Sequence, residues 1–465
     1  MQLGNEGKKQ SDFKETFWSS RETSVKVTAP VNTTTPILRV GLAGLGTVGA
    51  SVWHRLASQK DLLRQRAGTE IRVDQVAVRR ADRAKEVGVP EKLVTADWRK
   101  LTANPDLDVI VELIGGTKDA FDLIRQALEN GKHVITANKA LLAERGEELF
   151  QIALKHQRHL LFEASVAGGI PVIRALREGL VANRIVSIHG IINGTCNYIL
   201  TRMNEAGLEF KDALAEAKLK GYAEADDSLD VDGHDTAHKT AVLAALAYGF
   251  WVPSGKLYTE GLRAVEKQDI LYARKLGYGL KLLAIIKTDS DGAVEVRVHP
   301  TLIPQSHVLA SVSGVFNAVL VRGDVVGDTL YYGRGAGGDP TASAVLSDLA
   351  QIAAHFPQEQ KTRCVGHEAL HSRLKTMDEI VSRYYLRLLV VDRPGVLADV
   401  ARVLASHQIG ISSVIQPEAQ VGETTPLVLM LHDAAESQFR AAVREIAQIG
   451  AVKAPPVHLR VEDFE

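Results

Sequence analysis

Residues 37–59 read ILRVGLAGLGTVGASVWHRLASQ, and this stretch decides how the first part of the chain folds. Ile37 to Leu42 is a short apolar run with strand character. Gly44, Gly46 and Gly49 follow in GxGxxG spacing, and Val48, Val52 and Leu56 then recur at helical spacing. Strand, glycine turn and helix together form the setting in which this spacing cradles a dinucleotide. Gly44 permits the tight turn, Gly46 lets the backbone approach a pyrophosphate, and Gly49 lets helix and strand pack closely. Thr47 and Val48 open the helix, whose first N–H groups and dipole suit phosphate. The competing reading is a tight strand–helix turn that holds no ligand.

The pattern continues outward. IRVDQVAVRR (residues 71–80) reads as the next strand, with Arg79 and Arg80 at its end where an acidic residue would bond ribose hydroxyls. A guanidinium suits a 2′-phosphate better than a diol, so the expected cofactor is NADP, with NAD the alternative. DLDVIVELIGG (106–116) reads as a buried parallel strand. TKDAFDLIRQALENGKHVITANKALLA (117–143) reads as helix, turn and strand. Alternating strands and helices predict a doubly wound sheet with ligands beyond the carboxyl ends of its strands. Thr117 and Lys139 follow strands and so should face that cleft.

Composition bounds the rest. The chain has 465 residues, 45% hydrophobic and 24% charged, which suits about three globular domains. A net charge of -1 gives no case for nucleic acid or an anionic membrane as partner. Cys196 and Cys364 form no CxxC pair, so reduced thiols and a cytoplasmic location are expected. No apolar run approaches the ~18 residues of a membrane span. Residues 1–36 are polar and Thr/Ser-rich and read as a disordered extension.

EADDSLDVDGHDTAHK (224–239) packs six carboxylates before a lysine. A calcium loop aligned on Gly233 would put Lys239 where a bidentate carboxylate must sit, so that reading fails. Taken alone, Asp235 and Lys239 read as an i,i+4 ion pair worth ~0.3–0.5 kcal/mol. Asp226, Asp227 and Asp232 read as solvated charges near a helix N-terminus.

Taken in order, GLAGLGTVG, VELIGGT, GKHVITANKALLA, FEASVAGGIPVI, INGTCNYIL, GYAEADDSLDVDGHDTAHK and GRGAGGDPTASAV resemble the homoserine dehydrogenase family over residues 38–349. The resemblance implies NAD(P)-dependent interconversion of L-homoserine and L-aspartate 4-semialdehyde, on the way to threonine, methionine and isoleucine. It implies that Glu224 and Asp235 hold substrate and that Lys239 is the general acid/base. Lys139 would stand near the cofactor and substrate, and Gly221 and Gly337 would approach the cofactor by backbone. A monovalent cation, commonly sodium, would sit at Glu163, Val166, Gly168 and Ile170; the alternative there is a structural turn with Pro171 opening a helix. Cys196 gets no catalytic role. Two other readings compete: another amino-acid-aldehyde reductase, and a non-catalytic amino-acid sensor derived from a dehydrogenase. Retention of Lys139, Lys239 and the glycine motif argues against the sensor.

The fold class expected is α/β. A Rossmann-type domain spans 37–165 and is completed by about 335–360. An α+β substrate and dimerisation domain with a mixed sheet spans 166–335, including a hairpin about Asp291-Gly292. After a linker at 361–380, residues 381–465 give the order β-α-β-β-α-β, which is ferredoxin-like and resembles an ACT domain. Asp392, Pro394 and Gly395 mark its loop, with threonine as the implied effector or dimerisation as the alternative role. A homodimer or homotetramer is implied.

Overall fold

The computed structural model describes residues 35–356 and 373–464, apart from 250, 290, 419 and 421. The extension called at 1–36 lies outside the described residues up to 34, and so does the linker called at 361–380 up to 372.

Six strands form the first sheet: β1 (Ile37–Ala43), β2 (Glu70–Ala77), β3 (Val94–Thr95), β4 (Val109–Glu112), β5 (His133–Thr136) and β6 (Leu160–Leu161). Their order is β3-β2-β1-β4-β5-β6, and every pairing is parallel. Sequence order reverses between β1 and β4, which opens a crevice at their carboxyl ends. Helices α1 (Thr47–Ser58), α2 (Lys118–Glu129) and α3 (Lys139–Lys155) follow β1, β4 and β5. Strand residues Leu38, Val40, Leu42, Val109 and Val111 are buried, as near-continuous apolar strands covered on both faces must be.

The strand expected to reach Arg80 stops at Ala77. The Val78 N–H still donates to the Thr95 carbonyl of β3 at 2.9 Å, completing the parallel β2–β3 ladder, and no paired residue follows Ala77 among the described residues. Arg79 and Arg80 lie exposed beyond the strand end.

The second sheet is mixed. It contains β7 (Ile185–Ile191), β8 (Tyr258–Thr259), β9 (Tyr278–Thr288), β10 (Val294–Pro304), β11 (Phe316–Gly323) and β12 (Gly327–Arg334). β9 and β10 are an antiparallel hairpin, as expected, and the Asp289 carboxylate takes the Asp291 and Ala293 N–H groups across its turn. Helix α4 (His234–Tyr248) packs against α3, β9 and β10. Ala237, Ala241, Val242, Leu243, Ala244 and Ala245 are all buried, as are Asp235, Thr236, Lys239 and Thr240, so the helix runs through the interior. Helix α5 (Gly338–His355) then returns to the first sheet. It buries Ala342, Val345 and Leu349 in one core with Leu38, Val52 and Leu56.

The tail runs β13 (Val381–Val391), α6 (Val396–Ser406), β14 (Ile411–Ile415), β15 (Thr424–Ala435), α7 (Glu436–Ile446) and β16 (Val457–Val461). This is the expected ferredoxin-like order. Its sheet does not stand alone: β16 pairs with β10 in parallel, giving one path β12-β11-β7-β9-β10-β16-β13-β15-β14. β8 lies along the same edge of β10 as β16. Buried charges bind this seam. Arg460 on β16 reaches Glu436 at 2.8 Å, Glu260 at 2.9 Å and the Tyr258 hydroxyl at 3.0 Å. Arg387 on β13 grips Asp269 at 2.6 Å. Glu462, just past β16, meets Lys287 at 2.7 Å and Arg297 at 3.0 Å. Burial alone would raise the Glu462 carboxyl, but His189, Lys287 and Arg297 together hold it well below the usual range.

Candidate active site

The glycine turn is built as its spacing predicts. Gly44 has φ +101, and a Cβ there would stand 2.4 Å from the Leu113 carbonyl oxygen. A Cβ on Gly49 would stand 2.1 Å from the Gly44 oxygen. Both positions are closed to a side chain by the protein itself. Gly46 differs: among the described residues no atom lies within 4 Å of its Cβ position, and its φ of -65 suits any residue. Gly46 stands at the N-terminus of α1, which has no side-chain cap and therefore leaves backbone N–H groups of the kind that suit an anion. Gly46→Ala is therefore expected to leave thermal stability unchanged. It should weaken dinucleotide binding by about 1–3 kcal/mol through crowding, read by isothermal titration. Unchanged affinity would remove the cradle reading.

The other cofactor candidates are placed in several ways. Thr117 precedes α2, and Asn138 caps α3 while donating to the Gly116 carbonyl at 2.7 Å. Gly337 precedes α5, whose first residue Gly338 lies against α1: a Cβ there would meet Ser51 Oγ at 2.5 Å. Gly221 is exposed at the end of the helix Phe210–Leu219. The next carbonyl, that of Tyr222, accepts from Thr195 Oγ1 at 2.6 Å.

Lys139 begins α3, while Asp235 and Lys239 stand one turn apart on α4. The structure brings these three together although 96 residues separate the first two in sequence. Asp235 is 5% exposed. Its Oδ1 lies 3.2 Å from Lys139 Nζ and its Oδ2 lies 2.7 Å from Lys239 Nζ. Burial raises the Asp235 carboxyl, yet the two ammonium groups prevail and hold it down to about 2. Lys239 also donates to the Ile192 carbonyl at 2.8 Å. Glu224 is exposed, and no ion pair joins it to this trio among the described residues.

Two residues the sequence reading passed over complete the cluster. Asn193 donates one amide to both Asp235 Oδ2 at 3.0 Å and Asp230 Oδ1 at 2.8 Å. Its own oxygen caps the helix Gly194–Ala206 through the Cys196 N–H at 2.8 Å. An asparagine ahead of a helical run was a readable cap signal. Burial pushes the Asp230 carboxyl up, against the Asn193 hydrogen bond. Cys196 is fully buried and points its thiol at the Asp230 carbonyl.

The remaining acids of the stretch are structural. Asp226 accepts from Ser228, Asp227 pairs with Lys218 and Arg263, and Asp232 pairs with Arg263. Among the described residues no group of His, Cys, Asp and Glu is arranged to hold a metal ion. Glu163 is buried, its oxygens accepting from the Ile173 and Arg174 N–H groups at 2.9 and 2.8 Å. Ala167 and Gly168 have positive φ in the same turn, and Gly168 abuts the Gly335 carbonyl. The neighbouring Asp348 is pushed up to about 7, first by burial and then by the Glu163 charge. In the tail, Asp392, Pro394 and Gly395 form the turn before α6, with Gly395 at φ +94.

Residues 44–163 match the family described as homoserine dehydrogenase, NAD binding domain; 171–350 match homoserine dehydrogenase; 384–451 match the ACT domain. A homoserine dehydrogenase of Pseudomonas aeruginosa is 45% identical over 434 residues, spanning 92% of this chain and 99% of that protein. The crystal structure of a homoserine dehydrogenase from Thiobacillus denitrificans superposes with a TM-score of 0.88 at 43% identity, covering 93% of this chain and all of that one. A hyperthermophilic archaeal homoserine dehydrogenase in complex with NADPH superposes with a TM-score of 0.59 at 27% identity, covering 70% of this chain and all of that one.

Proposed function

This chain belongs to the homoserine dehydrogenase family, and from that premise we propose that it interconverts L-homoserine and L-aspartate 4-semialdehyde with NADP as its preferred cofactor. The observation that carries the reading is the convergence of Lys139, Asp235 and Lys239 where α3 and α4 meet. A bound nicotinamide cofactor would supply hydride acceptance in the oxidative direction and hydride donation in the reverse. In the oxidative direction Lys239, in its amine form, takes the hydroxyl proton as the C–H bond gives up its hydride, so aldehyde and one proton result. Lys139 orients the substrate oxygen. Asp235 and Glu224 receive the substrate ammonium.

NADP is favoured because Arg79 and Arg80 stand exposed past β2, neither in an ion pair among the described residues. A relative carrying NADPH is consistent with this. Sodium is the proposed cation for Glu163 and the carbonyls of Val166, Gly168 and Ile170, since oxygen-only ligation suits a hard cation. Threonine is the proposed ligand of the Asp392, Pro394 and Gly395 turn and lowers the rate through it. Pairing of two copies through the second sheet, with β12 as its exposed edge, is the proposed assembly, and the cytoplasm the proposed location.

The test is homoserine-dependent reduction of NADP and of NAD, with and without threonine. Reduction of neither cofactor would sink the dehydrogenase reading in favour of the sensor. Faster reduction of NAD would remove the arginine argument alone, and a rate indifferent to threonine would remove the effector.

A further inference from the structure

Glu112 ends β4 and is wholly buried. It pairs in register with Ala43, the residue before the glycine turn, and with Thr136 on β5. It therefore stands at the carboxyl edge of the sheet, beside the crevice where strand order reverses. Its Oε1 accepts from the Ile114 and Gly115 N–H groups at 2.9 and 3.1 Å. Its Oε2 accepts from Thr136 Oγ1 at 2.6 Å. The Thr136 oxygen is itself the acceptor for the Asn138 N–H at 3.0 Å, so its hydroxyl hydrogen is directed to Glu112. Every one of these partners donates. A proton on Glu112 would have only the Thr136 oxygen to receive it, and only if that hydroxyl turned its own hydrogen away, so the hydrogen-bond pattern is that of a carboxylate. Among the described residues no cation pairs with it, which is uncommon for a buried charge. Burial pushes the carboxyl up and the ring of donors pulls it back.

We propose that Glu112 is a positioning residue with two duties: it holds the 113–116 turn at the cofactor crevice, and its uncompensated negative charge favours the oxidised, cationic nicotinamide over the neutral reduced one. This rests on the nucleotide-binding reading given above. Hydride uptake removes the ring's positive charge, so a fixed anion behind the crevice stabilises one side of that couple through a low-dielectric interior.

Two substitutions separate the duties. Glu112→Gln keeps an oxygen for Ile114 and Gly115 and removes the charge. Glu112→Asp keeps the charge and shortens the reach. Dissociation constants of NADP+ and NADPH are measured for the full chain by titration calorimetry. Glu112→Gln is expected to raise the ratio of the NADP+ to the NADPH constant at least about fivefold. Glu112→Asp is expected to weaken both nucleotides while keeping the wild-type ratio. A Glu112→Gln ratio equal to wild type overturns the proposal. Should that variant fail to fold, Glu112→Asp decides alone, and a shifted ratio or two unchanged affinities overturns it. Wild-type protein that binds neither nucleotide defeats the functional reading itself, a result distinct from an unchanged ratio.

Discussion

Replacing Lys239 with alanine is expected to lower the rate of homoserine oxidation by about 10²–10⁴-fold, the usual contribution of a positioned acid/base. Binding of homoserine should change far less. The reason lies in what the substitution leaves behind. Asp235 keeps Lys139 at 3.2 Å and the Asn193 amide at 3.0 Å, so the buried carboxylate is not orphaned. The helix itself is held by Ala241, Leu243 and Ala244 rather than by the lysine. The loss should fall on kcat, because the proton is transferred only in the reacting complex. Lys139→Ala, measured beside it, should raise KM and cost less in kcat. If the two variants exchange these signatures, the proton chemistry belongs to Lys139. If neither loses rate, the trio is a structural ion cluster.

Arg460→Met should cost about 3 kcal/mol of stability or more, the scale on which breaking one side of a buried ion pair acts. Arg460 is 1% exposed and Glu436 is fully buried. Losing the guanidinium leaves Glu436 with the Tyr384 hydroxyl and Arg440, both at 2.9 Å, which keeps the cost towards the lower end. Glu260 and Tyr258 lose their link to β16 as well. Thermal unfolding of the full chain should show a lowered midpoint, and Arg460→Met combined with Glu436→Gln should recover part of it. An unshifted midpoint would mean the pair behaves like a surface one.

What could be read before folding was local. The glycine spacing announced itself because Gly49 answers to the Gly44 carbonyl and Gly44 to its own positive φ, both within one turn of chain, although the Leu113 carbonyl that also closes Gly44 is a tertiary neighbour. The hairpin about Asp291 and the order of the tail's elements came from nearest-neighbour patterns of the same kind. The end of β2 was misjudged because apolar alternation runs on past Ala77. The strand ends where its neighbours do: pairing with β1 and β3 stops at Ala43 and Thr95, and that limit is set by tertiary structure. Lys139 and Lys239 were each picked out, but that they share one carboxylate depends on α3 lying along α4. Nothing in the tail's own pattern said that β16 would seat itself beside β10. Glu112 was legible in principle: one acid inside VIVELI, an otherwise apolar run, is the kind of exception that asks for a reason.

Helix α5 carries a consequence for how the molecule comes to be folded. It belongs to the first sheet, yet its anchor residue Asp339 meets Arg55 at 3.0 Å across 284 residues of intervening chain. Until the ribosome has delivered α5, Val52 and Leu56 of α1 lack Val345 and Leu349, their partners in the core. The nucleotide-binding half thus cannot be completed first and the remainder added to it. Contacts this distant in sequence impose a large loop-closure cost before they return any stability, which slows folding. During that interval α1 shows a greasy face to solvent, and refolding yield should fall as protein concentration rises.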